Sequence, residues 1–331
     1  MYYNMNIDSR RNSNVELLRV VLMTMIVIWH YIMHGLNMKD PSLYVNEWDN
    51  SLIFTSTFLS FHVDCFIFIS GYFGLTLKKK KVIRLLLMLL TYSLITQFVG
   101  FLIGYDMGIF TIAQAFFPIS NNRWWFLTSY FYLLLLSPFL NSGVNILEKS
   151  TFRNILIILF FMFLGMVQWI FGSRFNDLNL FIFIYLLGRF IRKYPVNLIN
   201  KHPFLIFGCS TAIMLALTVL SVWTKSGFLL YRIWYYHNPL VLISAISFFF
   251  MFYNSKELKI KVGYISSGVL ATYLLTDSMY TQEWYNNLVV NNIPDFLWLF
   301  VAIITVALCS MFEFIRSKAT DKLVNKIAQY I

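Results

Sequence analysis

The sequence predicts an all-α, polytopic membrane protein of about ten transmembrane helices, with the N and C termini cytoplasmic. Three observations predict this class. Long apolar runs recur along all 331 residues. Hydrophobic residues make up 59% of the chain and charged residues 12%, about half the charge of an ordinary soluble domain. The basic residues gather in alternate loops between the runs. A water-soluble core could not hide this much Phe, Leu and Ile, so residues 1–331 are expected to form a single integral membrane domain.

A bilayer crossing needs ~20 mostly apolar helical residues. Candidate runs fall at 15–33, 51–75, 85–104, 124–145, 154–172, 179–190, 204–222, 238–253, 262–280 and 296–314. The first opens on Ser13 with Glu16 three residues later, a capping-box pattern. It is too long and too charged to be a cleavable leader, so it is expected to stay as the first span. The sixth is short and either extends or re-enters the membrane. The eighth is marginal. Beyond the tenth, Leu323, Val324 and Ile327 recur at helical spacing among lysines. Residues 317–331 therefore read as an interfacial cytoplasmic helix.

Loop charge supports the count. With the N-terminus inside, the inner segments hold Arg10, Arg11, Lys78, Lys79, Lys80, Lys81, Arg84, Lys149, Arg153, Arg189, Arg192, Lys193, Lys201, Lys256, Lys259, Lys261, Arg316, Lys318, Lys322 and Lys326. The outer ones hold only Lys39, Arg123, Arg174, Lys225 and Arg232. A wrong number of spans would put the basic loops outside. The net charge of +11 is thus the inner face of a membrane protein near anionic lipid, and it calls for no nucleic-acid partner. Cys65, Cys209 and Cys309 lie apart in apolar runs and suggest neither a metal site nor a disulfide framework. There is no internal repeat, phosphate-binding loop or dinucleotide fingerprint.

The first span carries the unusual residues. Glu16 and Arg19, three apart, can pair on one helix face. His30 lies eleven residues beyond Arg19, three turns plus about 20°, so the two share a face ~16 Å apart along the axis. Ionisable residues inside a membrane usually face a cavity or the bundle interior. Against this stand plainer readings: a snorkelling Glu–Arg pair and a packing histidine. His34 falls at the outer edge. A His-x-x-x-His metal pair is conceivable, but no third ligand stands out, and no metal is expected. On these residues alone an enzyme and a polytopic transporter or flippase of a glycan or small molecule are about equally served.

Longer motifs separate the two. "ELLRVVLMTMIVIWH" resembles the first helix of the integral membrane acyltransferase-3 family, in which an acidic residue, an Arg and a His stand where Glu16, Arg19 and His30 stand here. "VDCFIFISGYFG" resembles its second-span signature, with Asp64, Ser70 and Gly71 on the fixed positions. "WFLTSYFYLLLLSPFLN", starting at Trp125, resembles its fourth span. "LATYLLTDSMY" resembles the ninth, but Thr276 and Asp277 stand where the family commonly has a His. The family's basic pair after the second span is matched only by Lys81 and Arg84.

The resemblance implies an O-acyltransferase in a bacterial inner membrane. It would move an acyl group, usually acetyl, from cytoplasmic acetyl-CoA to a hydroxyl of a surface polysaccharide or its lipid-linked precursor. No bound cofactor is implied. A sugar hydroxyl is a poor nucleophile, and a histidine base titrating near neutrality suits it. His30 is the expected base, with Arg19 and Glu16 on the donor side and Asp64 orienting an imidazole. Lys81 and Arg84 would meet the phosphates of the donor. Ser70 and Gly71 would let backbone approach a ligand, although close helix packing is the commoner use of such a glycine. Trp125 is a substrate-contact candidate. Trp48, Trp124, Trp234, Tyr235 and Tyr236 would either stack on a sugar or form an interfacial belt.

Overall fold

A computed structural model describes residues 12–38, 49–163, 177–259 and 262–330, and among them the chain is helical with no strand. In chain order the helices are α1 (Ser13–His30), continued by one wide π-turn (Tyr31–Gly35), α2 (Asn50–Leu59), α3 (His62–Phe73), α4 (Lys79–Leu102), α5 (Ile109–Gln114), α6 (Trp125–Ile146), α7 (Lys149–Phe163) and α8 (Asp177–Lys193). There follow α9 (Asn197–Lys201), α10 (Pro203–Trp223), α11 (Gly227–Trp234), α12 (Pro239–Tyr253), α13 (Gly263–Ser266), α14 (Val269–Thr276), α15 (Gln282–Asn292) and α16 (Trp298–Tyr330).

Among the described residues, six segments are long and apolar enough to cross a membrane: Ser13–Gly35, Asn50–Phe73, Lys79–Leu102, Pro203–Trp223, Gly227–Tyr253 and Asp295–Tyr330. The other four expected runs are also helical over most of what is described. They are carried by α6, α7, α8 and the interrupted pair α13 and α14. Part of the 154–172 run lies outside the described residues. The tail does not form a separate element, because α16 continues unbroken through it to Tyr330.

α1 and α3 form the centre. α1 packs on α2, α3, α12, α13, α14 and α16, while α3 lies between α8 and α12. Asn14 fixes the N-terminal end of α1. Its Nδ2 donates to the carbonyls of Phe252, Ser255 and Lys256, and its Oδ1 accepts from Leu258 N at 2.9 Å. These bonds tie the start of α1 to the segment that leaves α12 and pair the Ser255 and Lys256 carbonyls beyond that helix. The helix cap differs from the capping-box expectation. Asn12 is the N-cap, accepting from Asn14 N and Val15 N, which frees Glu16 for other partners.

Gly71 and Gly188 let α3 and α8 touch backbone to backbone. A Cβ on Gly188 would sit 2.7 Å from Tyr72 N, and one on Gly71 would strike the Tyr185 backbone. Three helix interruptions shape the interior. α2 ends where Thr57 and Ser60 turn their hydroxyls onto the carbonyls of Ile53 and Thr57, offering the backbone an alternative to the helix. The π-turn closes α1, a distortion that often marks functional sites. α14 stops at Asp277, and the chain turns through 278–281 before α15.

Candidate active site

Two cavities lie along α1. The first, of about 430 Å³, is lined by His30, His34, His62, Trp125, Tyr236 and Asp277, with Arg123 and Gln282 at its wall. The second, of about 550 Å³, is lined by Glu16, Arg19, Ser70, Lys81, Tyr130 and Ser266. Phe66, Phe126 and Leu270 line both and so form the partition between them. The face shared by Arg19 and His30 therefore looks into both chambers, one residue in each. Because the break after Leu59 starts α3 at His62, that imidazole also reaches the first chamber.

His30 is buried at 6% exposure. Its Nε2 faces Asp277 Oδ1 at 3.8 Å, and its Nδ1 has no hydrogen-bond partner among the described residues. The same Asp277 oxygen lies 3.3 Å from His34 Nε2, and His34 Nδ1 meets the Gln282 amide nitrogen at 2.7 Å. The two imidazole centroids are 5.1 Å apart. Asp277 occupies the C-terminal cap of α14, where the helix dipole disfavours an anion. The facing imidazoles offset that cost once either is protonated. A carboxylate on one imidazole nitrogen with the other nitrogen free is the arrangement of an oriented general base. The same three side chains could hold a metal ion. One donor atom from each lies within 4.8 Å of those of the other two. The third ligand that the His-x-x-x-His pair lacked in sequence is Asp277.

In the second chamber Arg19 Nη1 bonds Glu16 Oε1 at 2.7 Å, and the Ser266 hydroxyl donates to Glu16 Oε2. Arg19 keeps 30% of its side chain exposed. Lys81 Nζ donates to Thr76 Oγ1 at 3.0 Å at the chamber wall.

The structure separates the remaining expected residues. Ser70 lines the second chamber, and its hydroxyl donates to Phe66 O. Trp125 lines the first, stacked on Tyr236 with centroids 5.6 Å apart. Gly71 faces neither chamber and serves helix packing. Arg84 pairs with Asp321 at 2.7 Å and also lines neither. Asp64 is fully buried, and neither of its oxygens has a hydrogen-bond partner among the described residues; the carboxylate beside His30 is Asp277. Of the other aromatics, Trp124 is buried under Arg123, Trp234 Nε1 donates to Thr57, and Tyr235 stacks on His237. Trp48 lies outside the described residues.

Arg123 was read only as an outer-loop charge. Its guanidinium is held by three neutral acceptors on α4, the side chains of Ser93, Thr96 and Gln97. Burial pushes it down to about 10, which leaves it cationic at neutral pH.

A helical membrane protein with a carboxylate-backed histidine in one chamber and a basic second chamber behind it fits a two-substrate enzyme that works across a bilayer. The acyltransferase domain model of the acyltransferase-3 family matches residues 12–313, nearly the whole chain, and the chain belongs to that family. It is therefore a membrane acyltransferase that carries out O-acyl transfer of groups other than aminoacyl. This decides between the enzyme and carrier readings left open by the residues alone. No curated protein and no solved structure matches the chain.

Proposed function

We propose that the protein carries an acyl group, acetyl in the simplest case, from acyl-CoA on the cytoplasmic side to a hydroxyl of a surface polysaccharide or its lipid-linked precursor. In this reading all ten runs cross a bacterial inner membrane with both termini inside. The single observation that carries it is His30. Its Nδ1 has no partner among the described residues, its Nε2 faces Asp277, and it stands on one helix with Arg19 beyond a three-residue partition.

Arg19 and Lys81 make the Glu16 chamber the donor side, since CoA carries several phosphates. Trp125 and Tyr236 give the His30 chamber flat apolar faces for a sugar ring. In the reaction His30 Nδ1 takes the acceptor hydroxyl proton as the oxygen attacks the thioester carbonyl. The C–S bond breaks, and the imidazolium returns that proton to the departing CoA thiolate. An ester and free CoA result. Asp277 positions the imidazole and balances its transient charge, while Phe66, Phe126 and Leu270 keep water from crossing between chambers.

The test is purified protein in lipid nanodiscs with labelled acetyl-CoA, together with mass spectrometry of surface glycans from cells with and without the chain. Label transferred to a glycan hydroxyl is expected. Glycans identical in both cells, with no CoA released in vitro, would overturn the reading.

A further inference from the structure

We propose that His30, His34 and Asp277 form a three-ligand site for a divalent transition-metal ion such as Zn²⁺, and that its occupation switches acyl transfer off. The switching half rests on His30 being the base; the site itself does not.

Zinc bonds of ~2.0–2.2 Å to nitrogen and oxygen in a tetrahedral arrangement place neighbouring ligand atoms ~3.3–3.6 Å apart. The Asp277 oxygen already stands 3.3 Å from His34 Nε2 and 3.8 Å from His30 Nε2. Those two separations are within a few tenths of an ångström of that spacing, and all three donor atoms lie within 4.8 Å of one another, so closing on an ion needs movements of at most ~1 Å. The ligands come from the last turns of α1 and the end of α14, elements that pack on each other. Two imidazoles and a carboxylate are a common zinc ligand set, with the fourth position left to water. All three side chains line the 430 Å³ chamber, which leaves room for that water.

A metal-bound imidazole usually gives its other N–H to an outer partner. Gln282 stands at that place, 2.7 Å from His34 Nδ1, and a turn of its amide presents oxygen instead of nitrogen. His30 has no such partner on Nδ1. That asymmetry explains the switch. With the site empty, Nε2–H faces Asp277 and the Nδ1 lone pair is free to take a proton. Metal on Nε2 moves the ring proton to Nδ1, so no lone pair remains for the acceptor hydroxyl. Asp277 is withdrawn onto the metal by the same event.

The experiment titrates Zn²⁺ into chelator-stripped, nanodisc-embedded protein against a competing fluorescent zinc indicator. One equivalent is expected to bind. His34→Ala and Asp277→Asn should each weaken it by ~100-fold or more, and Gln282→Ala by ~10–100-fold, the usual effect of losing an outer partner. His62→Ala, which removes an imidazole of the same chamber outside the cluster, should bind like the parent. Monodisperse elution of each variant shows that it is folded. Failure of the folded parent to bind one equivalent, or equal binding by His34→Ala and Asp277→Asn, would overturn the site. Saturating Zn²⁺ should cut the acetyl-transfer rate at least ~10-fold and chelator should restore it, given the size of a general-base contribution. A zinc-saturated protein working at full rate would overturn the switch. Stoichiometric, ligand-dependent binding by a protein with no transfer activity in either state would uphold the site and sink the acyl-transfer reading instead.

Discussion

Asp277→Asn isolates the contribution of charge to the proposed base. The change preserves size and leaves an amide that can still contact His34. It removes the anion that faces the imidazolium formed when His30 takes the acceptor proton. At 3.8 Å and an effective dielectric of ~20, unit charges interact by about 4 kcal/mol. If the carboxylate acts mainly in the transition state, that is ~10³-fold in rate, at 1.36 kcal/mol per tenfold. Contact from the amide returns part of it, so a fall of ~10²–10³-fold is expected. The imidazolium is absent from the ground state, so kcat and kcat/KM should fall together. The assay is initial rate of labelled acetyl transfer in nanodiscs at equal protein loading, with donor and acceptor each varied. The control is a cycle with His30→Ala. Once the base is gone, Asp277→Asn should add little, because residues acting as a unit are not additive. A variant within threefold of the parent, or a full additional loss in the His30→Ala background, would refute the reasoning.

His30→Ala should lower transfer by ~10²–10⁴-fold with abundance and elution unchanged, as checked by activity at equal membrane content. Lys81→Ala should raise the donor KM several-fold, the scale of a partly exposed charge pair of about 1 kcal/mol, whereas Arg84→Ala, which faces Asp321, should leave it alone; donor titrations separate them. Gly188→Val should fail to reach the folded state or lose several kcal/mol, since its side chain would meet the Tyr72 backbone; thermal unfolding in detergent reads this. Arg316→Leu should cost ~3–5 kcal/mol by stranding buried Glu313, and adding Glu313→Leu should recover much of it in the same measurement.

Each expected run was helical over most of its described length, because ~20 apolar residues in lipid have little alternative to a helix. The interruptions were not legible. The break after Leu59 depends on which carbonyls the Thr57 and Ser60 hydroxyls choose. The cap fell on Asn12 rather than Ser13, and Glu16 bonds instead to Ser266, a residue far along the chain. The site divided in the same way. Glu16, Arg19 and His30 share one helix, so spacing alone aligned them. Asp277 comes from a different helix, and spacing says nothing about contacts of that kind. Its signal was present nonetheless, as a carboxylate inside an otherwise apolar run, which is a functional candidate by default. Asp64 carried the same signal and was preferred through the family resemblance. The structure buries it with no hydrogen-bond partner.

The limit of pattern reading is clearest in two pairs with the same spacing. Glu16 and Arg19 stand three apart on a membrane helix, as do Glu313 and Arg316. Both pairs are joined by close hydrogen bonds, and each carboxylate also accepts a hydroxyl, from Ser266 in one case and Tyr92 in the other. What separates them is where the cation's remaining donors point. Arg316 bonds Glu313 through both Nε and Nη2, and the two side chains keep only 8% and 9% of their surface exposed. Neither lines either chamber, so the pair is closed on itself and its charge is spent on holding α16 to α4. Arg19 gives Glu16 a single bond through Nη1 and opens the rest of its guanidinium to a 550 Å³ cavity. A guanidinium has five donors, so most of them remain for a ligand. The first pair is therefore expected to matter for turnover and the second for folding. Substitution of Arg19 should change donor kinetics at a modest stability cost, while substitution of Arg316 should do the reverse.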